Sequence, residues 1–193
     1  MPVVKQHTAN KLPIPILVYH QIAEAPPKGA PFRSLCVSPT RFSQQMGLLR
    51  RLGFRALSMG DLLPYLMGEQ TGKVVGLTFD DGYLNNLQHA LPVLNAHGFT
   101  GTCYSVSALS GKTNLWDRDT GIAQVPLMSK LDMREWVEAG QEIGAHTRHH
   151  VHLNAQTAEV ARQEIVGCKA ELEDTLGKSV SHFCYPYGEY APQ

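Results

Sequence analysis

The chain of 193 residues is long enough for one domain with a single core, since 43% of its residues are hydrophobic. Lys plus Arg and Asp plus Glu each number 17, which makes the formal net charge zero at pH 7. A chain without a basic stripe is a poor candidate for binding nucleic acid or an anionic membrane surface. A neutral substrate fits this charge balance better.

The N-terminal residues 1–15 lack the apolar core of a signal peptide, and no apolar run approaches the roughly 18 residues of a membrane span. These features predict no transmembrane segment and a cytoplasmic location, or a periplasmic or extracellular one if a signal peptide has been removed. The cysteines are scattered without a C-x-x-C pair, which predicts reduced, mostly buried thiols rather than a zinc ribbon or a disulfide framework. They are Cys36, Cys103, Cys168 and Cys184.

Apolar runs alternate with helical patterns along the chain. Strands are predicted at 16–19, 54–57, 74–79, 100–106, 142–145 and 180–185. Helices are predicted between 38 and 53, from 58 through 66, at 84–96, from 129 through 139, and at 157–176, where Gly177 ends the last one. Residues 110–127 are predicted as an irregular loop. Strands that alternate with helices predict a parallel sheet, either open or closed into a barrel.

Polar or unusual side chains follow four of the predicted strands at the point where each strand ends. They are Tyr19-His20, Asp80-Asp81, His146, and residues 185–188. Because the carboxyl ends of parallel strands meet at one face of a sheet or barrel, we expect these groups to lie together.

Two adjacent carboxylates, Asp80 and Asp81, directly follow the predicted strand 74–79. Placing both in a partly dry pocket is costly unless a cation or a proton offsets their charge. His146 and His150 are four residues apart, a separation that lets a helical turn or a tight loop bring two imidazoles onto one ion. Two imidazoles and one carboxylate leave open positions for water and substrate, and the second carboxylate is then free to act as a general base.

Each of these motifs also has a simpler interpretation. Asp-Asp-Gly is typical of a solvated turn, and the histidine-rich run over residues 146–152 is compatible with an exposed loop that chelates metal weakly. Both motifs follow strands at the same predicted edge of the sheet, and this coincidence favours a functional site.

The segments Thr78-Phe79-Asp80-Asp81-Gly82 and His146-Thr147-Arg148-His149-His150 resemble the first two motifs of the polysaccharide deacetylase family, T-F-D-D-G and H-[ST]-x-x-H. This family is also called the NodB homology domain or carbohydrate esterase family 4. The resemblance implies an α/β fold, a distorted (β/α) barrel of about seven parallel strands.

The resemblance also implies roles for individual residues. The implied ligands of a divalent metal are Asp81, His146 and His150. Asp80 is then the catalytic base, and Thr147 supports the histidine loop. Zinc is the default metal for two imidazoles and a carboxylate, although cobalt, nickel or iron accept the same ligands.

The third family motif, R-x-P-[YF]-G, has a variant form here, Cys184-Tyr185-Pro186-Tyr187-Gly188, without the arginine that braces the catalytic base. Together with residues 17–20 and 42–57, this variant looks like the branch that contains the bacterial biofilm poly-N-acetylglucosamine deacetylases. The resemblance places Tyr187, with Pro186 and Gly188, beside the reacting carbonyl, and the backbone N–H of Tyr187 is the candidate donor to the oxyanion.

The usual acid histidine of the family belongs to a late motif, and nothing in this chain matches that motif. In the biofilm branch the histidine after the first strand takes the acid role, which makes His20 the candidate; a buried histidine that closes a strand is the alternative. Because the chain stops soon after the third motif, residues 1–193 are interpreted as one deacetylase domain that lacks its C-terminal end.

These features together predict a metal-dependent hydrolase that removes N-acetyl groups from an N-acetylhexosamine polysaccharide or oligosaccharide. Two alternatives stay open. One is a deacetylase of another substrate, such as an acetyl ester or another non-peptide C–N bond, and the other is a catalytically weak homologue that binds carbohydrate. Trp116 and Asp117 are candidates to line the sugar site, with a packed loop anchor as the alternative.

Overall fold

The computed structural model describes residues 13–190, in which seven short strands alternate with five α-helices. The strands are β1 (Ile16–Tyr19), β2 (Gln21–Ile22), β3 (Cys36–Val37), β4 (Arg55–Leu57), β5 (Val74–Phe79), β6 (Thr102–Ser105) and β7 (Glu142–Ala145). The helices are α1 (Pro39–Arg51), α2 (Met59–Leu66), α3 (Leu91–His97), α4 (Lys130–Glu138) and α5 (Ala158–Leu176).

Strand β5 is the centre of the main sheet, because it pairs in parallel with β1, β4 and β6. Strand β7 extends the sheet by pairing in parallel with β6, and β2 and β3 form a separate parallel pair. The predicted α/β fold with parallel strands is therefore confirmed. Within residues 13–190 the main sheet does not close into a complete barrel.

The core is built around the fully buried strand β5, whose residues alternate between the two faces of the sheet. The ring of Phe79 at its end stacks on Tyr19 with centroids 5.8 Å apart, and it meets Phe42 and Trp136 edge to face at 5.9 and 5.6 Å. These aromatic contacts join β1, α1 and α4 to the end of β5. The residues that follow Phe79 are consequently anchored to the packed core.

Hydroxyl side chains cap the helices at their N-termini, as several of the sequence patterns predict. Ser38, Ser58 and Ser129 each accept a hydrogen bond from the backbone N–H three residues later. At the other end of α5, Gly177 adopts the left-handed conformation with φ of 66°, which favours glycine. The predicted helix boundaries are confirmed at these positions.

The helix predicted at 84–96 is present in two parts, a π-helical turn over Asn86–Ala90 followed by α3. The side-chain oxygens of Asn85 and Asn86 each accept a hydrogen bond from the N–H of Ile22 at 3.2 Å. The side-chain amide of Asn86 also donates to the carbonyl of His20 at 2.8 Å. These contacts hold the start of the segment against β2, and π-helical turns of this kind are frequent near functional sites.

Residues 180–185, predicted as the last strand, do not form one. This segment contacts β7 through a single parallel bridge between Ala145 and Phe183. The N–H of Val180 donates to the carboxylate of Glu173, and its carbonyl accepts from the ammonium group of Lys169. Because the backbone groups of Val180 bond to side chains of α5, pairing with β7 does not extend back to Val180 and is limited to two backbone hydrogen bonds with Ala145. The strand prediction is therefore wrong.

Two other predictions concern the cysteines and membrane insertion. Within residues 13–190 every cysteine is free; Cys103 and Cys168 are buried, and Cys36 and Cys184 are half-buried. No helix in this part of the chain is long and apolar enough to cross a membrane.

Candidate metal centre

The acidic pair lies at the carboxyl end of β5, where the chain makes a sharp turn. Asp81 has φ of 73° and Gly82 has φ of 76°. A Cβ atom on Gly82 would lie 3.2 Å from Oγ of Ser105 on the neighbouring strand β6, so this turn requires glycine. The turn buries Asp81 and leaves Asp80 partly exposed.

The histidine loop, residues 146–150, follows β7 at the same edge of the sheet. His146 donates from Nδ1 to the carbonyl of Cys184 at 2.9 Å, which leaves the lone pair of Nε2 directed away from that carbonyl. Thr147 is fully buried, and its Oγ1 accepts a hydrogen bond from the N–H of His150 at 2.9 Å. The loop therefore holds both imidazoles on its inner side.

The two imidazoles converge on one carboxylate oxygen. Oδ1 of Asp81 lies 3.3 Å from Nε2 of His146 and 3.1 Å from Nε2 of His150. Each residue contributes one potential ligand atom, and these three atoms lie within 4.8 Å of one another. Each residue is at most 6% exposed. The sequence prediction that these three residues lie together is thus met by the structure.

The residues of this cluster fit a divalent metal ion. Within residues 13–190, Oδ1 of Asp81 is buried and makes no hydrogen bond of good geometry, although buried polar atoms almost always make one, and the two Nε2 atoms that face it lie 3.1 and 3.3 Å away. A carboxylate with two imidazoles is a donor set that zinc and similar ions accept, and the Cys184 carbonyl supplies the outer hydrogen bond that orients a ligating histidine.

The ionisation of the cluster follows from its burial and close contacts. Burial disfavours the charged form of Asp81, but the imidazoles of His146 and His150 outweigh this effect and hold the pKa of its carboxyl well below its usual range. Burial also disfavours charging of His146, yet Asp81 and the Cys184 carbonyl raise its pKa to about 10. Burial lowers the pKa of His150. In the metal-free protein a proton on His146 therefore offsets the charge of Asp81.

Asp80 and His20 line the same cavity as the cluster. Burial raises the pKa of Asp80, although the nearby imidazoles of His146 and His20 oppose that rise. Oδ1 of Asp80 is buried without a hydrogen-bond partner, and Oδ2 lies 3.9 Å from Sγ of Cys184. Cys184 stands at the position of the arginine in the family motif, so no guanidinium contacts the carboxylate at that position.

The variant third motif forms the opposite wall of the cavity. Pro186 is buried, whereas Tyr187 and Gly188 line the cavity with exposed side-chain or backbone atoms. The ring of Tyr187 stacks on His152 with centroids 3.8 Å apart and meets His150 edge to face at 4.6 Å. The structure thus places all the predicted site residues at one end of the sheet.

Strained backbone is concentrated at this site. Within residues 13–190, five residues other than glycine have a positive φ: Phe32, Asp81, Thr147, His150 and Tyr187. All five belong to the turn, the histidine loop or the lining of the cavity. Such conformations cost about 1–3 kcal/mol each and persist where the surrounding contacts enforce them, which is a common property of functional sites.

The cavity has a volume of about 550 Å³, and Trp116 and Asp117 lie at its side. The indole of Trp116 stacks on the imidazole of His150, with centroids 4.4 Å apart and planes 25° apart. The carboxylate of Asp117 accepts a hydrogen bond from the side-chain amide of Asn114 at 2.8 Å, and burial raises its pKa. Both interpretations made from the sequence apply, because both residues line the cavity while Trp116 packs on His150 and Asp117 bonds to Asn114 within its own loop.

Sequence reasoning missed three contributors to the site. The carbonyl of Cys184 left no side-chain signal, and Asn86, which bonds to His20, lies in an ordinary helical pattern. Glu164 of α5 accepts hydrogen bonds from the histidine loop. Glu164 could have been found from the sequence, because it lies at four-residue spacing from Cys168 and Leu172 on the apolar face of the predicted helix, where a charged residue is unusual.

The sequence is similar to known members of one enzyme family. The sequence model described as polysaccharide deacetylase matches residues 67–193. The protein YxkH of Bacillus subtilis (strain 168), named for the same family, is 28% identical over 185 residues. That match covers 95% of this chain and 60% of YxkH, so the chain spans less than two thirds of the length of this relative.

Two solved structures have a similar fold. The Streptococcus pyogenes deacetylase PplD, in complex with acetate, has a TM-score of 0.78 at 27% identity, and the match covers 92% of this chain and 75% of PplD. IcaB from Ammonifex degensii has a TM-score of 0.77 at 24% identity, covering 93% of this chain and 76% of IcaB. The match of the family model over about two thirds of the residues shows that the chain belongs to the polysaccharide deacetylase family.

Proposed function

We propose that the protein is a metal-dependent hydrolase that removes N-acetyl groups from an N-acetylhexosamine polysaccharide or oligosaccharide. The observation that carries the proposal is the cluster of Asp81, His146 and His150, with Asp80 and His20 in the same cavity. Membership of the family supports the reaction class. The solved structure of PplD holds acetate, which is the acid that this reaction would release.

In this proposal Asp81, His146 and His150 bind one divalent ion, with zinc as the first candidate and cobalt, nickel and iron as others. When bound, such an ion supplies Lewis acidity toward water and the acetyl carbonyl. The aromatic faces of Trp116 and Tyr187 flank the imidazole of His150 and exclude water from one side of it. Thr147 keeps the histidine loop closed through its bond to the N–H of His150.

The remaining polar groups divide the proton transfers between them. Asp80 takes the proton of the attacking water, a role that its burial-raised pKa suits because a general base works best with a pKa near the operating pH. The N–H of Tyr187 donates to the oxyanion of the tetrahedral intermediate. His20 then protonates the departing amine, and acetate and a free amino sugar leave.

The substrate class follows from the cavity and from the charge of the chain. Among residues 13–190 the lining of the cavity includes aromatic rings but neither lysine nor arginine, so it offers no basic side chain of these types to an anionic sugar. Aromatic faces suit stacking with sugar rings. The variant third motif supports a place in the poly-N-acetylglucosamine branch. The competing proposal is an acetyl ester substrate, since the same site would act on an ester.

Hydrolysis of three substrates tests this proposal. Metal-loaded protein is incubated with N-acetylglucosamine oligomers and with acetylated xylan, for which acetate release is measured, and with a cyclic amide, for which ring opening is measured. Ring opening of the cyclic amide alone supports hydrolysis of another non-peptide C–N bond. Release from the oligomers supports the N-acetyl assignment. Release from acetylated xylan alone supports the ester, and the absence of release with retained binding of the oligomers supports a catalytically weak homologue that lacks the bracing arginine.

A further inference from the structure

The strained histidine loop is held from outside by helix α5. Between Thr147 and His150, both with a positive φ, the N–H groups of Arg148 and His149 point toward this helix. Oε2 of Glu164 accepts a hydrogen bond from each of these N–H groups at 2.9 Å. A single carboxylate oxygen therefore fixes two of the four peptide units that join the two predicted metal ligands.

The second oxygen of Glu164 is also engaged. Oε1 lies 2.6 Å from Nδ1 of His149, whose ring points away from the cluster and is 47% exposed. The Glu164 side chain is 9% exposed, so its carboxylate is held among these donors rather than in water. A buried carboxylate with three donors from one short loop has a defined geometry, which a longer or shorter side chain would not reproduce.

Two further features of α5 secure the same loop. A Cβ atom on Gly167 would lie 2.6 Å from Cδ of Arg148, so the absence of a side chain there lets Arg148 lie across the helix. The guanidinium of Arg148 then donates to Oε1 of Glu171 at 2.8 Å, and Oε2 of Glu171 accepts from the hydroxyl of Ser107 at 2.6 Å. Seven residues separate Glu164 from Glu171, which places them two turns apart on one face of α5.

We propose that Glu164 is a positioning residue for the metal centre, which acts through the backbone of the histidine loop to set the positions of His146 and His150. The inference rests on the proposed metal-dependent function. Glu164 contacts neither of the two imidazoles. Its effect is on metal affinity, because the loss of its hydrogen bonds frees the strained segment to relax and separates the ligand atoms.

The test compares zinc dissociation constants of the full chain, measured by competition with a chromophoric chelator. Residues that orient ligands from outside typically contribute 10–100-fold to metal affinity, so Glu164→Ala should weaken zinc binding on the order of 10–100-fold. Glu164→Gln keeps an oxygen that accepts both N–H groups and should bind zinc nearly as the wild-type protein does. Glu159→Ala, at an exposed site five residues earlier on α5, is the matched control and should leave the zinc dissociation constant unchanged.

The thermal unfolding midpoint of each metal-free variant separates positioning from a role in stability alone. A lower midpoint for Glu164→Ala with an unchanged zinc dissociation constant would overturn the inference. If Glu164→Ala does not fold, the zinc dissociation constants of Glu164→Asp and Glu164→Gln test the inference instead. The Asp variant keeps the charge but loses reach, so it should bind zinc more weakly than the Gln variant, and the reverse order or equality would overturn the inference. Wild-type protein that binds no zinc would remove the proposed function itself.

Discussion

The two walls of the cavity contribute to the site in different ways. The ligand wall, formed by the turn at Asp81 and by the histidine loop, contributes buried side chains whose ligand atoms converge. The motif wall, residues 184–188, contributes mainly backbone, since the carbonyl of Cys184 orients His146 while the side chains of Tyr185 and Tyr187 are 45% and 47% exposed.

This difference explains why one wall matches its family motifs and the other departs from its motif. A ligand atom on a side chain specifies the residue type, so Asp81, His146 and His150 leave little freedom. A backbone carbonyl is available from any residue, so the hydrogen bond to His146 persists with cysteine in the place of arginine. Side-chain replacements should therefore have large effects on the ligand wall and small effects on the motif wall.

The largest expected effect is on the rate of catalysis, at Asp80, which precedes Asp81 in the ligand wall and lies 3.9 Å from Cys184 of the motif wall. Asp80→Asn removes the proton acceptor and should lower the rate of acetate release by roughly 10²–10⁴-fold, the usual contribution of a general base. Zinc affinity should be retained, because Asp81 and the histidines are unchanged. The exposed Asp119→Asn serves as control. Undiminished acetate release by Asp80→Asn would contradict the assignment of the base.

The pH dependence of zinc binding examines the ligand wall alone. The pKa of His146 is raised to about 10 in the metal-free protein, so this imidazole is protonated at neutral pH and must lose its proton to bind zinc. Zinc affinity should therefore rise with pH, by about tenfold per unit below that pKa, with one proton released per ion bound. Calorimetry in buffers of different ionisation enthalpy measures that proton, and its absence would contradict the assigned ionisation.

An intermediate effect is expected at Trp116, which packs on the ligand wall without supplying a ligand. Aromatic stacking of this kind contributes about 0.5–1.5 kcal/mol, so Trp116→Ala should weaken zinc binding by roughly 2- to 10-fold. Trp116→Phe retains a stacked ring and should recover most of that loss. Equal affinities for all three proteins would show that the stacking does not support His150.

The smallest effect is expected on the motif wall. Cys184→Ser leaves the carbonyl that orients His146 in place, so zinc affinity and acetate release should change by less than about twofold, as for substitutions worth under about 0.5 kcal/mol. The zinc titration and acetate assay used for the other variants measure both quantities. A loss as large as that of Trp116→Ala would show that the thiol, 3.9 Å from Asp80, takes part in the site.

The comparison of the walls also bears on what the sequence can predict. The bounds of β5 and β7 were predicted correctly, because an apolar run between glycine or polar residues defines a buried strand. The ligand wall followed from motifs placed at the ends of these strands. Residues 180–185 were predicted wrongly as a strand, and at Val180 the backbone groups bond to the side chains of Glu173 and Lys169 instead of to β7. Such contacts between distant side chains and backbone leave no periodic signal.

His20 and Glu164 also show that contacts between distant parts of the chain cannot be predicted from sequence patterns. His20 was a candidate because the resemblance to the biofilm branch gives the acid role to the histidine after the first strand, but the bond from Asn86 that holds its carbonyl comes from a segment 66 residues away. Glu164 had only its place on the buried face of α5 as a signal, and its three donors became evident from the folded loop. Side chains that bind a cation are readable from motifs, whereas the groups that support them depend on tertiary structure.

The most direct test of the central claim is zinc stoichiometry measured together with acetate release, for the wild-type protein and for Asp81→Asn. The account predicts one zinc ion per wild-type chain, with acetate release from N-acetylglucosamine oligomers that a chelator abolishes and added zinc restores. It predicts neither bound zinc nor acetate release for Asp81→Asn. Acetate release that is unaffected by the chelator, or a wild-type protein that binds no metal, would contradict the account.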